Sequence, residues 1–318
     1  MEMRKLGTLG NVSALTLGGA GIGGTWGATD RQEAVATVRE AVREGITFID
    51  VAPTYGRGEA EEVIGETFDG KLPSGVRIST KFRLGNPDAR DVLPNFEKSL
   101  NESFSRLRLH HVDVLFLHGQ IIPDHMVDVA PGTTRTLFVE AVRPAMDQLK
   151  LRGVIGAWGV TGIGVPESIL DTLHDDDPPS AVQAIANLLN SPGSLRQFEG
   201  SSMAREIIDV GHRREVGVFG IRAVQGGALT YGFDRKLPEN SPDMVDYERA
   251  LTFRGIAKEV GESPAALAHR YSLTIEGISS VVLGVKNRVE LRECIDTESK
   301  GPLDKSLMQL IDETVESQ

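Results

Sequence analysis

One cysteine, Cys294, stands among 318 residues, which excludes an internal disulfide and any zinc site built from several thiolates. A reducing compartment is the expectation. Aromatic residues make up only 5% of the chain, too few for an extensively aromatic pocket. No stretch approaches the roughly 18 apolar residues of a membrane span, and the N-terminal MEMRKLGTLG lacks the apolar centre of a signal peptide, so the sequence reads as cytoplasmic. Basic runs are missing too. Thirty-four Lys and Arg against 45 Asp and Glu give a formal charge of -11, which argues against nucleic acid or an anionic membrane as partner. No Walker A, H-E-x-x-H or G-x-S-x-G pattern occurs. The acidic run HDDDPP at 174–179 and the pair His110-His111 lack the spacing of a metal site, so no metal is expected.

What is present alternates. Gly7 and the turn pair Gly10-Asn11 between short apolar runs signal a hairpin. From Asp30 the pattern is helical: Asp30 with Glu33 resembles a capping box, and Val35, Val38, Ala41 and Val42 form an apolar stripe that stops at Gly45. Strand runs ITFIDVA, VRISTKF, VDVLFLH, IGAWGVTG, AVQAIAN, VGVFGIRA and SSVVLGV follow, separated by helical segments; Pro144 kinks its helix or marks its first turn. With LTLG as the first strand the count is about eight β/α units, the number that closes a barrel. No Pro/Ser-rich linker interrupts residues 1–318, so one domain is expected. Two connections, Gly119 to Thr136 and Ala223 to Asp246, are long enough to suggest function.

Gly19-Ala20-Gly21-Ile22-Gly23-Gly24 satisfies G-x-G-x-x-G, and Asp50 ends the next strand, as a dinucleotide-binding loop of the Rossmann kind would require. The helix, however, should open at the third glycine, and its capping signal falls six residues later at Asp30. The glycines then read as the end of a barrel strand, where the chain turns sharply or a ligand approaches.

In a parallel barrel the C-terminal strand ends meet at one face. Asp50 in FIDVAPTYG, Lys81 in ISTKF and His118 in LFLHG occupy such ends, and Tyr55 lies just beyond Asp50. A phenol near its ordinary pKa of ~10 is a poor proton donor at pH 7, and a nearby ammonium lowers that pKa. Lys81 is placed to do this, Asp50 to hold Lys81 by an ion pair, and His118 to orient a substrate oxygen. Such a set suits hydride transfer, with the hydride coming from a cofactor because no side chain supplies one.

These features resemble the aldo-keto reductases almost end to end, through GITFIDVAPTYGRGEAEEVIGE, ISTKF, VDVLFLHG, GVTGIG, VQAIANLLN, GVFGIRAVQGGAL and SVVLGVKNRVELREC. The resemblance implies an α/β fold, a (β/α)8 TIM barrel with an N-terminal β-hairpin closing its base, and a nicotinamide cofactor extended across the C-terminal face. Asp50, Tyr55, Lys81 and His118 match the family tetrad, with Tyr55 the general acid or base. Gly21, Asp50, Thr161, Gln183, Ile221, Arg222, Gly284, Lys286, Arg288 and Glu290 fall at cofactor-contacting positions. Thr161 stands where the family commonly has Ser, Gly162 where it has Asn, and Ile221 where an aromatic ring usually stacks; Arg222 places a cation near the pyrophosphate. Lys286 and Arg288 could bind a 2'-phosphate while Glu290 would repel it, and the family habit tips the balance slightly towards NADP(H) over NAD(H). GVTGIG, NLLN and GIR are shared with a subgroup resembling sugar and lactol dehydrogenases.

The expected activity is therefore NAD(P)-dependent interconversion of an aldehyde, ketone or lactol with its alcohol or oxidised form. The departures at Gly162, Ala186 and Ile221 motivate one alternative, a nicotinamide-binding redox sensor or regulatory barrel with little turnover. The substrate pocket is expected to draw on Trp26, Tyr55 and His118, with Ile121 and Ile122 as an apolar wall.

Overall fold

The computed structural model describes residues 1–316. Eight parallel strands close into a barrel: β1 (Leu15–Gly18), β2 (Phe48–Asp50), β3 (Arg77–Phe82), β4 (Val112–Leu117), β5 (Ile155–Gly162), β6 (Ala181–Ile185), β7 (Gly217–Ile221) and β8 (Ser280–Leu283), with β8 pairing back onto β1. The expected (β/α)8 barrel is what forms. Among the described residues no helix is long and apolar enough to cross a membrane.

Two apolar layers hold this arrangement. Inside the barrel Phe48, Val114, Phe116, Ala157, Ala181 and Phe219 form a small cluster, with the Phe48 and Phe219 rings 4.8 Å apart. Antiparallel strands Met3–Lys5 and Asn11–Ser13 form the expected hairpin, and Leu6 and Val12 from it cap that cluster. The hairpin thus closes the bottom of the barrel, leaving the opposite end free for chemistry. The larger layer lies between strands and helices. Helix α1 (Arg31–Arg43) buries Ala34, Val35, Val38 and Ala41, three of which belong to the stripe read from the sequence. Helix α2 (Glu59–Phe68) follows, then α3 (Val92–Leu107), which turns Phe96, Leu100 and Leu107 inward. Because side chains alternate along each strand, the same strands feed both layers.

Local chemistry explains two boundaries. Asp30 caps α1 by accepting from the Glu33 amide at 2.9 Å, but Glu33 does not complete a capping box. Its carboxylate instead accepts from Arg288, whose guanidinium lies 2.8 Å away. Pro144 sits in the first turn of α4 (Arg143–Leu151), directly after a π-helical turn at Phe138–Val142, so it starts an element rather than kinking one.

The glycine run is explained by close approach. Residues Gly19–Ile22 make a single helical turn, and a Cβ on Gly21 would lie 2.0 Å from the Val285 carbonyl oxygen. On Gly18 it would lie 2.2 Å from that of Leu283. These glycines let the chain leaving β1 pack against the chain leaving β8, at the end of the barrel where Asp50 emerges from β2. After β7 come α5 (Pro242–Arg249) and α6 (Leu251–Glu259), and after β8 comes α7 (Arg288–Ser299), whose cap is Asn287.

Candidate active site

Asp50, the last residue of β2, is buried and accepts three hydrogen bonds: from Lys81 Nζ at 2.6 Å, from Ser79 Oγ at 2.7 Å and from Gln183 Nε2 at 2.9 Å. Two strands, the neighbouring β3 and the facing β6, thus converge on the one carboxylate of β2. Lys81 is fully buried and adds a second bond, to the Val51 carbonyl oxygen at 3.0 Å. Burial alone disfavours its ammonium, but the Asp50 carboxylate and then Tyr55 outweigh that effect and raise its pKa, so Lys81 stays charged.

The Lys81 ammonium lies 4.7 Å from the centre of the Tyr55 ring. Tyr55 is carried on a turn, Tyr55–Gly58, in which Gly56 has φ +63° and a Cβ would lie 2.1 Å from the Gly23 carbonyl oxygen. A glycine is needed there to bring the phenol over the barrel mouth. Burial pushes the Tyr55 pKa up; Lys81 acts against burial and Asp50 with it. The sequence expectation of a lowered pKa is corrected in its net sign: Lys81 moderates the rise without reversing it, because desolvation of a phenolate at this position is the larger effect.

His118, one residue past β4, faces Tyr55 edge-on with ring centres 5.7 Å apart. Its Nδ1 is 3.5 Å from the Thr54 hydroxyl. Burial first, then Lys81 and Arg83, hold its pKa down to about 3, so the imidazole is neutral at physiological pH.

Above these groups opens a cavity of about 960 Å³, near the upper end of the ~300–1,000 Å³ usual for ligand sites. Asp50, Tyr55, His118, Trp26, Thr161, Gln183, Ile221, Arg222, Gly284, Lys286 and Glu290 all border it, so most of the expected site residues are brought together. Gly21 instead serves backbone packing against Val285, and Arg288 is taken up by Glu33. Ile121 and Ile122 do not border the cavity. They pair with Thr133 and Thr134 in a two-stranded sheet and are buried, so the expected apolar wall is a packing element. Arg222 also differs from expectation: at φ +58° its side chain turns to Asp243 (3.0 Å) and Gln225 (2.6 Å), which neutralises the cation expected at a pyrophosphate.

The residues present fit a nicotinamide dinucleotide. The cavity is bordered by Tyr55 and also by Lys286 and Glu293, and Gly18 and Gly19 border it without side chains. Thr161 uses its hydroxyl proton on the Leu117 carbonyl (3.1 Å) and Gln183 uses its amide nitrogen on Asp50, so each retains an oxygen as acceptor for a carboxamide. Arg83, Gln120, Asp234 and Arg235 also border the cavity and were missed. Arg83 lies just past the end of β3, two residues after Lys81; Asp234 and Arg235 belong to the long loop after β7, whose path no local pattern sets.

A barrel that gathers Asp50, Lys81, Tyr55 and His118 at its open end beside such a cavity is an oxidoreductase architecture. A model of the Aldo/keto reductase family matches residues 14–316, and the chain belongs to that family. It is accordingly an enzyme of NAD(P)-dependent carbonyl oxidoreduction. It is 28% identical over 317 residues to L-galactose dehydrogenase of Arabidopsis thaliana, covering 98% of this chain and 93% of that protein. It is 26% identical over 325 residues to pyridoxal 4-dehydrogenase of Microbacterium luteolum, covering 92% and 91%. The fold is shared with a glycerol dehydrogenase from Gluconobacter oxydans at TM-score 0.73 and 22% identity, over 99% of this chain and 95% of that one.

The buried pair is directly testable. Replacing Asp50 by Asn keeps the shape but leaves the Lys81 ammonium without a counter-charge, and losing one partner of a buried pair costs about 3–5 kcal/mol. Urea unfolding of Asp50→Asn is expected to show a loss of that size. A change below about 1 kcal/mol, the scale of an exposed pair, would contradict the assignment.

Proposed function

We propose that the chain oxidises a cyclic hemiacetal, or reduces the corresponding carbonyl, with Tyr55 as the group that moves the proton. The observation that carries this reading is the phenol held between a charged, buried Lys81 and a neutral His118 at the cavity floor. The hydride would be supplied or accepted by a nicotinamide held in the cavity. Tyr55, protonated at neutral pH because its pKa is raised, donates to the oxygen during reduction and accepts from it during oxidation. Lys81 eases departure of that proton by favouring the phenolate, and the three hydrogen bonds to Asp50 fix where the ammonium sits. Neutral His118 orients the same oxygen. Reduction therefore persists across neutral pH and fades as pH rises through the Tyr55 pKa, whereas oxidation strengthens along that same limb.

The hemiacetal class is supported by what two relatives are named for: galactose and pyridoxal both exist largely as cyclic hemiacetals. Substituting Tyr55 by Phe removes the proton and is expected to lower kcat by roughly 10² to 10⁴, with folding and cofactor affinity retained. Wild-type turnover by Tyr55→Phe on any substrate found by screening would end the assignment.

The pairings at the far end of the cavity favour NAD(H), reversing the tilt towards NADP(H) read from sequence. Glu290 accepts from Lys286 Nζ at 2.5 Å and from the Lys286 amide at 2.9 Å, and Asp234 takes the same ammonium at 2.8 Å. Arg288 is held by Glu33. A 2'-phosphate would meet cations that already have carboxylate partners, and a ribose hydroxyl would meet acceptors. Fluorescence titration is expected to show NADH binding about tenfold or more tighter than NADPH, with Glu290→Gln narrowing the gap. Tighter binding of NADPH by the wild type would contradict this.

A further inference from the structure

Four cationic side chains border the cavity: Arg83, Arg222, Arg235 and Lys286. Three have carboxylate partners. Arg222 and Arg235 share Asp243 at 3.0 and 3.2 Å, and Lys286 is held by Asp234 and Glu290. Arg83 differs from them. Its Nε donates to the His118 carbonyl oxygen at 3.3 Å, and among the described residues no carboxylate pairs with its guanidinium.

Carboxylates are distributed unevenly around the same cavity. Asp234, Glu290 and Glu293 border it, the first two paired with Lys286. Among the described residues that border the cavity, the one acid belonging to the Tyr55 and His118 cluster is Asp50, which is paired with Lys81. A chain with a formal charge of -11 thus leaves one unpaired cation at the mouth nearest the reacting groups. The fork of a guanidinium matches the paired oxygens of a carboxylate or phosphate, and its Nε bond to the backbone beside His118 anchors the fork next to the substrate oxygen's position. The field of Arg83 also reaches the reaction centre, where it helps to keep His118 neutral.

Resting on the hemiacetal reading above, we propose that Arg83 selects substrates bearing an anionic oxo group, so that the preferred substrate is a sugar acid or sugar phosphate rather than a neutral sugar. Gln120, Thr133 and Gln197, which also border the cavity, supply polar surface suited to the hydroxyls of such a molecule.

The test is calorimetric titration of the cofactor-loaded protein with three hexoses of one ring configuration, D-galactose, D-galacturonate and D-galactose 6-phosphate, at fixed ionic strength. At least one anion is expected to bind about tenfold or more tighter than galactose, the scale of one charge-assisted pair. Which anion it is separates carboxylate from phosphate. Arg83→Gln is expected to reduce the preference to within about twofold, and Arg83→Lys, which keeps charge but loses the fork, to retain part of it. Unchanged cofactor affinity in each variant reports an intact fold. If neither anion binds tighter than galactose, including the case where none binds, or if Arg83→Gln keeps the preference, the proposal is overturned. Failure of the underlying oxidoreductase reading is seen separately, as absence of hydride transfer to any of a panel of simple aldehydes.

Discussion

The buried Asp50–Lys81 ion pair is the constraint on which the site depends. A charged lysine with no exposed surface is tolerated only with a carboxylate in contact, and that carboxylate must itself be satisfied. Ser79 from β3 and Gln183 from β6 complete it, so the pair ties strands on opposite sides of the barrel to one point. The interior phenylalanines and the N-terminal hairpin close the other end, which leaves the charges at the open mouth. Once Lys81 is fixed, the phenol of Tyr55 has an ammonium 4.7 Å from its ring and His118 has a reason to stay neutral.

The electrostatics of the cavity follow a division of labour. Near the reacting groups the charges cancel locally except at Arg83; at the far end carboxylates outnumber cations around Lys286. Trp26 borders the cavity with the Arg222 and Arg235 guanidiniums 5.8 and 5.1 Å from its ring, and a Cβ on Gly284 would lie 3.2 Å from its indole. The loop after β1 is thereby joined to the loop after β7 by cation–π contacts and van der Waals packing. Arg222, which sequence position assigns to a pyrophosphate, is instead part of this junction.

Much of this was legible in the sequence because it rests on local patterns. Strand runs bounded by glycine, the stripe of Val35, Val38 and Ala41, and polar residues at strand ends each follow from periodicity, and together they give the barrel and the tetrad. What was not legible depends on distant partners. Glu33 looked like half of a capping box and pairs with Arg288, 255 residues away. Ile121 and Ile122 looked like pocket wall, and only their pairing with Thr133 and Thr134 shows them to be packing. Lys286, Glu290 and Asp234 carry opposing signals as letters; their mutual contacts decide which prevails. The net direction of the Tyr55 shift also needed burial, which no motif encodes.

The most direct test of the central relation is to follow the Tyr55 ring carbon by NMR through a pH titration, in the wild type and in the double variant Asp50→Asn, Lys81→Met. Neutralising both members avoids stranding either charge. The ammonium opposes burial more strongly than the carboxylate reinforces it, so the Tyr55 pKa is expected above its ordinary value of ~10 in the wild type and higher still in the double variant. A Tyr55 pKa that stays where it was, or falls, when the pair is removed would show that Lys81 does not govern the phenol.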